Sequence, residues 1–150
     1  MITKDQLQHI IDHAQSTYPE ECCGFLIGIS AEEKWVRRAV SVPNTHHQSR
    51  SNRYIIDPVE IVRADEAAQR ANLDLLGVYH SHPDAPPQPS QIDREYAWPR
   101  YTYVIVSIEN RVRVSSLYYN KVQVFTCIKE SSGLSFLHEN MMVVENFFFV

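Results

Sequence analysis

The sequence predicts a single α/β domain in which a mixed β-sheet is flanked by helices. Stretches with helical spacing alternate with short apolar runs of strand length, which is typical of this fold class. Hydrophobic residues make up 44% and charged residues 21% of the 150 positions, as in ordinary globular proteins. One domain of this length can bury a core, and no repeat, low-complexity segment or linker divides the chain. Residues 1–150 are therefore predicted to form one domain.

Two helices are predicted from capping patterns followed by apolar positions at helical spacing. Thr3 and Gln6 have capping-box spacing, and the apolar stripe after them ends before Pro19. Asp57 and Pro58 begin the second helix, which is predicted to run to about Asn72. Both helices have an apolar face that can cover a sheet.

Strands are predicted where apolar and β-branched residues cluster between turn residues. In chain order the predicted strands are 24–29, 34–42, 53–56, 75–80, 101–108, 111–119 and 122–128. The first two are predicted to pair as a hairpin, and 75–80 is predicted to be the central strand. A short helix from Ser90, stopped by Pro99, follows the central strand, and Glu109-Asn110 and Asn120-Lys121 are predicted to divide the last three strands into a meander.

Composition argues against several classes of protein. A net charge of −4 provides no basic stripe for nucleic acid, and no apolar run approaches the roughly twenty residues of a membrane span. The polar start of the chain does not resemble a secretory signal. Cys22, Cys23 and Cys127 are an odd set with two adjacent members, so we expect buried free thiols and a cytoplasmic location.

His80 and His82 end the predicted central strand, and Ser90 and Asp93 follow in a proline-rich segment. Histidines at i and i+2 of a strand point to one face, so both imidazoles can reach one ion, and Asp93 can supply a third ligand. Two histidines and one carboxylate leave the fourth position of a tetrahedral zinc open, as in catalytic sites. A lone His-x-His motif is common, however, and a helix cap by itself explains Ser90 and Asp93.

A metal-dependent hydrolase also needs a group that accepts and returns a proton. The acidic candidates are Glu20 and Glu21, which directly precede the first predicted strand. Solvated charges are the ordinary interpretation of such a pair, but the apolar strand that follows favours at least one carboxylate facing inward.

Together these motifs resemble the JAMM/MPN-plus metalloproteases, and most closely the small stand-alone bacterial members. The resemblance covers roughly residues 1–128 and rests on Glu-Cys-Cys-Gly followed by Phe-Leu-Ile-Gly, and on His-Ser-His-x(7)-Ser-x-x-Asp. Pro43-Asn44 and the Arg-Tyr-x-Ile-Asp-Pro segment, Arg53 to Pro58, belong to it as well. It implies a cytidine-deaminase-like α/β fold. No motif residue is missing, which disfavours an inactive scaffolding relative.

The resemblance also assigns roles to residues. It implies one zinc ion per chain, bound by His80, His82 and Asp93, with Glu21 activating a zinc-bound water and Ser90 stabilising the oxyanion. The implied reaction is hydrolysis of the amide after the Gly-Gly tail of a ubiquitin-like sulfur-carrier protein.

Two alternatives stay open. A deubiquitinase-like isopeptidase is one, although a chain of this length has little room for the loops that grip two ubiquitins. A non-enzymatic protein-binding module stiffened by zinc is the other. A zinc deaminase is disfavoured because the Pro-Cys-x-x-Cys ligand pair is absent.

The remaining histidines and the C-terminal tail carry weaker expectations. His9 and His13 are expected at the surface of the first helix, and His46 and His47 in a solvated loop that could reach the substrate channel. The apolar tail, 129–150, is expected to pack across the sheet or to pair two protomers as a homodimer.

Overall fold

The computed structural model describes residues 1–110, 118–130 and 133–139. Three helices and six strands are formed within these ranges. In chain order they are α1 (Lys4–Thr17), β1 (Cys23–Ser30), β2 (Lys34–Val42), α2 (Pro58–Arg70), β3 (Asp74–Pro83), α3 (Gln91–Glu95), β4 (Thr102–Asn110), β5 (Tyr118–Glu130) and β6 (Gly133–Glu139). No helix in this part of the chain combines the length and apolar character that a membrane span requires.

The six strands form one mixed sheet in the order β2-β1-β3-β4-β5-β6. The β3–β4 pair is parallel, and the other four pairs are antiparallel. Because a parallel pair needs a crossover, α3 and its flanking loops connect β3 to β4. The prediction of a mixed sheet flanked by helices is confirmed.

Residues of β1 alternate between two apolar clusters, so the two helices cover opposite faces of the sheet. On one face, Leu26 packs in a cluster with the buried stripe of α1. On the other face, Phe25 packs in a cluster with Ala68 of α2. The central strand β3 lies between β1 and β4, with Val78 on the α2 side and Tyr79 on the α1 side.

The helix starts follow the predicted capping. The Thr3 side chain accepts a hydrogen bond from the Gln6 amide, and Asp57 accepts one from the Val59 amide. Both bonds satisfy amides that the first turn of a helix leaves unpaired.

Two predictions about strands are wrong, and one strand was missed. Residues 53–56 form no strand in the described structure, because the backbone of this segment bonds to a loop instead of a neighbouring strand. β5 runs unbroken through Asn120 and Lys121, where a turn was predicted. β6 was not predicted at all. The predicted strand 111–119 lies outside the described residues except for its end, which belongs to β5, and the tail beyond residue 139 lies outside them too, so pairing through the tail stays a prediction.

The outer edge of β2 is covered by the N-terminal segment. The Val36 amide donates to the Met1 carbonyl at 2.9 Å, and the Ala39 amide donates to the Gln6 side-chain oxygen at 2.6 Å. Between these two positions, the register of β2 against β1 shifts by one residue at Arg37.

Candidate active site

Strand β3 brings His80 and His82 to the face of the sheet that α2 covers. Both side chains are buried, with exposed fractions of 0% and 7%. The neighbouring strand β4 can approach closely because position 77 is glycine: a Cβ there would lie 1.9 Å from the Thr102 carbonyl oxygen. Both histidines lie within the paired part of β3, which runs to Pro83 and not only to His80 as predicted.

Helix α3 brings Asp93 to the two histidines. Its start is a complete capping box: the Asp93 amide donates to Ser90 Oγ at 3.1 Å, and the Ser90 amide donates to Asp93 Oδ2 at 2.7 Å. Asp93 Oδ1 lies 3.3 Å from His80 Nε2, and Oδ2 lies 3.6 Å from His82 Nε2. The same Asp93 carboxylate therefore caps the helix and lies beside both histidines.

The three side chains fit a divalent metal ion. The two Nε2 atoms are 3.0 Å apart, and with the two carboxylate distances this spacing brackets the roughly 3.3 Å between ligands of a tetrahedral zinc bound at about 2.0–2.1 Å. His82 Nδ1 lies 2.7 Å from the Pro86 carbonyl, the arrangement in which Nδ1 carries the proton and Nε2 presents its lone pair to a metal. These are the only three side chains with this geometry in the described ranges.

Burial and charge keep Asp93 and His80 in the state that a metal requires. Burial works to raise the pKa of Asp93, but hydrogen bonds with His80 and His82 outweigh it and hold that pKa far below its usual range. Burial lowers the pKa of His80, which favours neutral imidazole. For His82 burial also acts downward, but the Asp93 carboxylate and the Pro86 carbonyl raise its pKa overall.

Glu21 is buried and faces the same site from the segment just before β1. Its exposed fraction is 5%, and burial raises its pKa to about 8, with His82 lowering and Asp93 raising that value. The main chain next to it is fixed, because the Cys22 amide donates to Ser81 Oγ at 2.9 Å and the Ser81 amide donates to the Cys22 carbonyl at 3.1 Å. The serine between the two histidines thus connects the acidic residue to the metal-binding strand.

Glu20, the other acidic candidate, points away from the site into solvent. Its side chain is 47% exposed and pairs with Arg50 at 3.7 Å. Of the two candidates, the structure brings only Glu21 to the metal ligands.

The ligands open onto a groove of about 990 Å³ that is lined mainly by apolar and aromatic side chains. Glu21, His82, Ser90 and Asp93 all line it. The Ser90 hydroxyl accepts the Asp93 amide, so its own proton is available to a group bound in the groove. The structure thus brings together all five residues predicted for the site.

The family model for prokaryotic homologs of the JAB domain matches residues 3–118. The chain belongs to the prokaryotic JAB-domain family. This confirms the resemblance to JAMM/MPN-plus metalloproteases, and with it the predicted fold class. The family is metal-dependent, which agrees with the His-His-Asp cluster.

Several named relatives of this JAB domain are peptidases. A desampylase of Haloferax volcanii is 41% identical over 107 residues, which cover 71% of this chain and 76% of the relative. A probable TtuB-protein conjugate cleaving protease of Thermus thermophilus is 39% identical over 53% of each chain, so the alignment spans about half of that relative. A CysO-cysteine peptidase of Mycobacterium bovis is 29% identical over 71% of this chain and 72% of the relative. The prediction of a JAMM-type hydrolase is confirmed by these relatives.

A solved structure supports the fold directly. The solution structure of a Desulfitobacterium hafniense protein superposes on this JAB domain with a TM-score of 0.70 at 28% identity, covering 91% of this chain and 88% of that one.

Asn44 supports the main chain behind the site and was not among the predicted site residues. Its side-chain amide donates to the carbonyls of Glu21 (3.0 Å) and Arg53 (2.9 Å) and accepts from the amides of His46 (3.0 Å) and Ile55 (3.1 Å). All four hydrogen-bonding positions of the amide are therefore used. Tyr54, which lines the groove, was not predicted for the site either. In the sequence both residues contribute only to the family resemblance, and no spacing rule marks them.

The other histidines fall on both sides of the JAB-domain sheet. His46 lines the groove, whereas His47 is exposed. On the α1 face His9 is exposed, but His13 is half-buried and not a surface residue, because its Nδ1 lies 2.9 Å from the Tyr79 hydroxyl.

Cys22 and Cys23 are buried free thiols, as predicted. Burial raises their pKa values to about 11 and about 12, so neither is a reactive thiolate at neutral pH.

Proposed function

We propose that the chain is a zinc-dependent peptidase that hydrolyses the amide after the Gly-Gly tail of a ubiquitin-like sulfur-carrier protein. One observation carries this proposal: two imidazole nitrogens and a carboxylate converge beside a buried glutamate at the edge of an open groove. His80, His82 and Asp93 would hold one zinc ion. Bound there, zinc would supply Lewis acidity, which lowers the pKa of a water towards about 7 and polarises the scissile carbonyl.

Glu21 is the proton carrier in the proposed reaction. Glu21 accepts a proton from the attacking water and returns it to the departing amine. The sulfur-carrier protein therefore ends with a free carboxylate, and the leaving segment with a free amine. The pKa of about 8 supports this role, because a carboxyl that titrates near neutral pH both takes and releases protons readily. With Glu21→Gln we expect turnover to be lost while zinc content stays near one ion per chain; loss of zinc would instead make Glu21 a ligand.

Ser90 donates a hydrogen bond to the oxyanion that develops on the scissile carbonyl. Its hydroxyl is exposed to the groove, and the capping bond to the Asp93 amide fixes its position relative to a metal ligand. A single such donor is worth about 3 kcal/mol in the transition state, so Ser90→Ala should lower kcat by roughly 10²-fold with little change in zinc content.

The groove supports an extended peptide as substrate. Its aromatic and aliphatic walls can pack against the tail of a carrier protein, and glycine residues at the cleavage point let the peptide backbone approach the buried ligands without side-chain clashes. The relatives act on related linkages by name: one is a CysO-cysteine peptidase. We place the enzyme in the cytoplasm, because Cys22 and Cys23 are unpaired thiols.

An isopeptidase that separates carrier–protein conjugates is the second candidate. It is favoured by the names of the other two relatives, a desampylase and a probable conjugate-cleaving protease. The same metal site and groove would serve, with a lysine side chain as the leaving amine.

Intact-mass spectrometry distinguishes the two candidates. Zinc-loaded protein is incubated with a sulfur carrier extended by a few residues beyond Gly-Gly, and in parallel with the same carrier joined to a lysine of a second protein. Loss of the residues after Gly-Gly supports the peptidase, and separation of the conjugate supports the isopeptidase.

His82→Ala is the control, because it removes one ligand from the groove side of the site. Its failure to cleave either substrate would connect the reaction to the metal site. No cleavage by the wild type, with zinc bound, would contradict both candidates and favour the zinc-stiffened binding module.

A further inference from the structure

The two histidines of the metal site are supported differently. His82 has an outer partner, because its Nδ1 lies 2.7 Å from the Pro86 carbonyl. His80 Nδ1 is fully buried and has no hydrogen-bond partner in the described part of the chain. A histidine that binds a metal ordinarily has its second nitrogen held by an outer partner, which fixes the ring orientation. His80 lacks that support.

An aromatic ring lies against His80 instead. The rings of Tyr54 and His80 have centroids 4.6 Å apart and an angle of 25° between their planes, a stacked arrangement. Tyr54 also lines the groove, and burial raises the pKa of its phenol well above the usual value, so the ring stays neutral.

Tyr54 is itself held rigidly, although its segment is not a strand. Asn44 bonds to both of its neighbours, donating to the Arg53 carbonyl and accepting from the Ile55 amide. The Thr45 amide and hydroxyl both donate to the Ile55 carbonyl at 2.9 Å. The stacking ring therefore projects from a backbone that is fixed on either side.

We propose that Tyr54 is a positioning residue for His80, whose ring it holds by stacking in place of the missing hydrogen bond to Nδ1. The inference rests on the proposed metal site but not on the choice of substrate. The aromatic ring of Tyr54, and not its hydroxyl, holds His80 in position. Without it the His80 ring can turn about its own side-chain torsions, and Nε2 is no longer held towards the other two ligands.

The test measures metal binding and not turnover. Zinc affinity is determined by competition with a chromophoric chelator, and ligand geometry is followed by the visible absorption of Co²⁺-substituted protein. Tyr54→Phe keeps the ring and should bind zinc within about twofold of the wild type. Tyr54→Leu removes the ring and should weaken zinc binding by roughly 10- to 100-fold, the usual effect of losing an outer partner of a metal ligand, with a changed Co²⁺ spectrum.

Two controls separate positioning from general damage. Tyr96→Leu removes another aromatic side chain of the groove, one that makes no ring contact with His80 in the described structure, and should leave zinc affinity unchanged. Thermal unfolding of the metal-free proteins identifies folded variants, and Tyr54→Met takes the place of the leucine variant if that variant is unfolded.

The inference would be overturned if a folded Tyr54→Leu or Tyr54→Met variant had the zinc affinity and the Co²⁺ spectrum of the wild type. Equal loss in Tyr54→Phe would overturn it too, because the hydroxyl would then be the active group. Failure of the wild type to bind zinc would instead contradict the proposed metal site itself.

Discussion

Replacing Glu21 by glutamine should stabilise the metal-free protein, and the gain should grow with pH. In the folded chain, burial raises the Glu21 pKa from 4.5 to about 8. The folded state therefore holds this proton more tightly than the unfolded state does. Below pH 4.5 the carboxyl is protonated in both states and has no effect on stability. Between pH 4.5 and 8 the unfolded chain releases the proton first, so the wild type loses stability as pH rises.

The magnitude follows from the two pKa values. Each pH unit between them is worth about 1.4 kcal/mol. Glutamine has nearly the shape of the protonated carboxyl and cannot ionise, so it avoids this cost. The expected gain in the free energy of unfolding is about 1.5 kcal/mol at pH 5.5, about 3 kcal/mol at pH 7 and about 4.5 kcal/mol at pH 8.5.

Urea denaturation of the metal-free proteins at these three pH values measures the gain. Glu20→Gln is the matched control, since that neighbouring side chain is 47% exposed and makes only a surface ion pair with Arg50. Its effect should stay within about 1 kcal/mol at every pH. A gain for Glu21→Gln that does not change with pH would refute the reasoning, because it would mean that the Glu21 carboxyl is not held protonated by burial.

Substitutions at three further positions test the support of the site and of the sheet. Asn44→Ala removes four hydrogen bonds and should cost about 2 kcal/mol in urea denaturation, while Asn44→Asp, which keeps only the acceptors, should recover part of it. Gly77→Ala forces a Cβ to within 1.9 Å of the Thr102 carbonyl oxygen and should cost about 3 kcal/mol; an unchanged melting temperature would contradict the close approach of β3 and β4. Tyr79→Phe removes a buried hydroxyl with two partners at 2.9 Å and should cost about 1–3 kcal/mol, an effect that would be absent if those bonds do not form.

The sequence was most informative where a local rule and a chemical requirement coincide. The spacing of Ser90 and Asp93 predicts a helix cap, and that cap turns out to hold the carboxylate at the two histidines. The alternation of β3 places His80 and His82 on one face, so their convergence could be predicted from the period of a strand alone.

The prediction for residues 53–56 failed because side chains of a loop take up hydrogen-bonding groups of that backbone. The cluster of apolar and β-branched residues in 53–56 indicated a strand, but the bonds of this segment go to Asn44 and Thr45. A polar residue in a loop carries no periodic signal, and the pairing depends on positions nine to eleven residues away. For the same reason the role of Tyr54 could not be predicted: its contact with His80 joins positions 26 residues apart that no local pattern relates.

The covered edge of β2 has a consequence for how the protein behaves at high concentration. An open edge strand offers unpaired amides and carbonyls on which a second chain can add, and this is how many sheet proteins begin to aggregate. Here the amides of Val36 and Ala39 are already bonded to the N-terminal segment, and the register shift at Arg37 interrupts the regular spacing that an added strand would need. Trimming the first six residues would remove both partners at once. Shortened protein should therefore form intermolecular β-sheet sooner than the intact chain, even though the groove and its metal ligands on the other side of β1 are untouched.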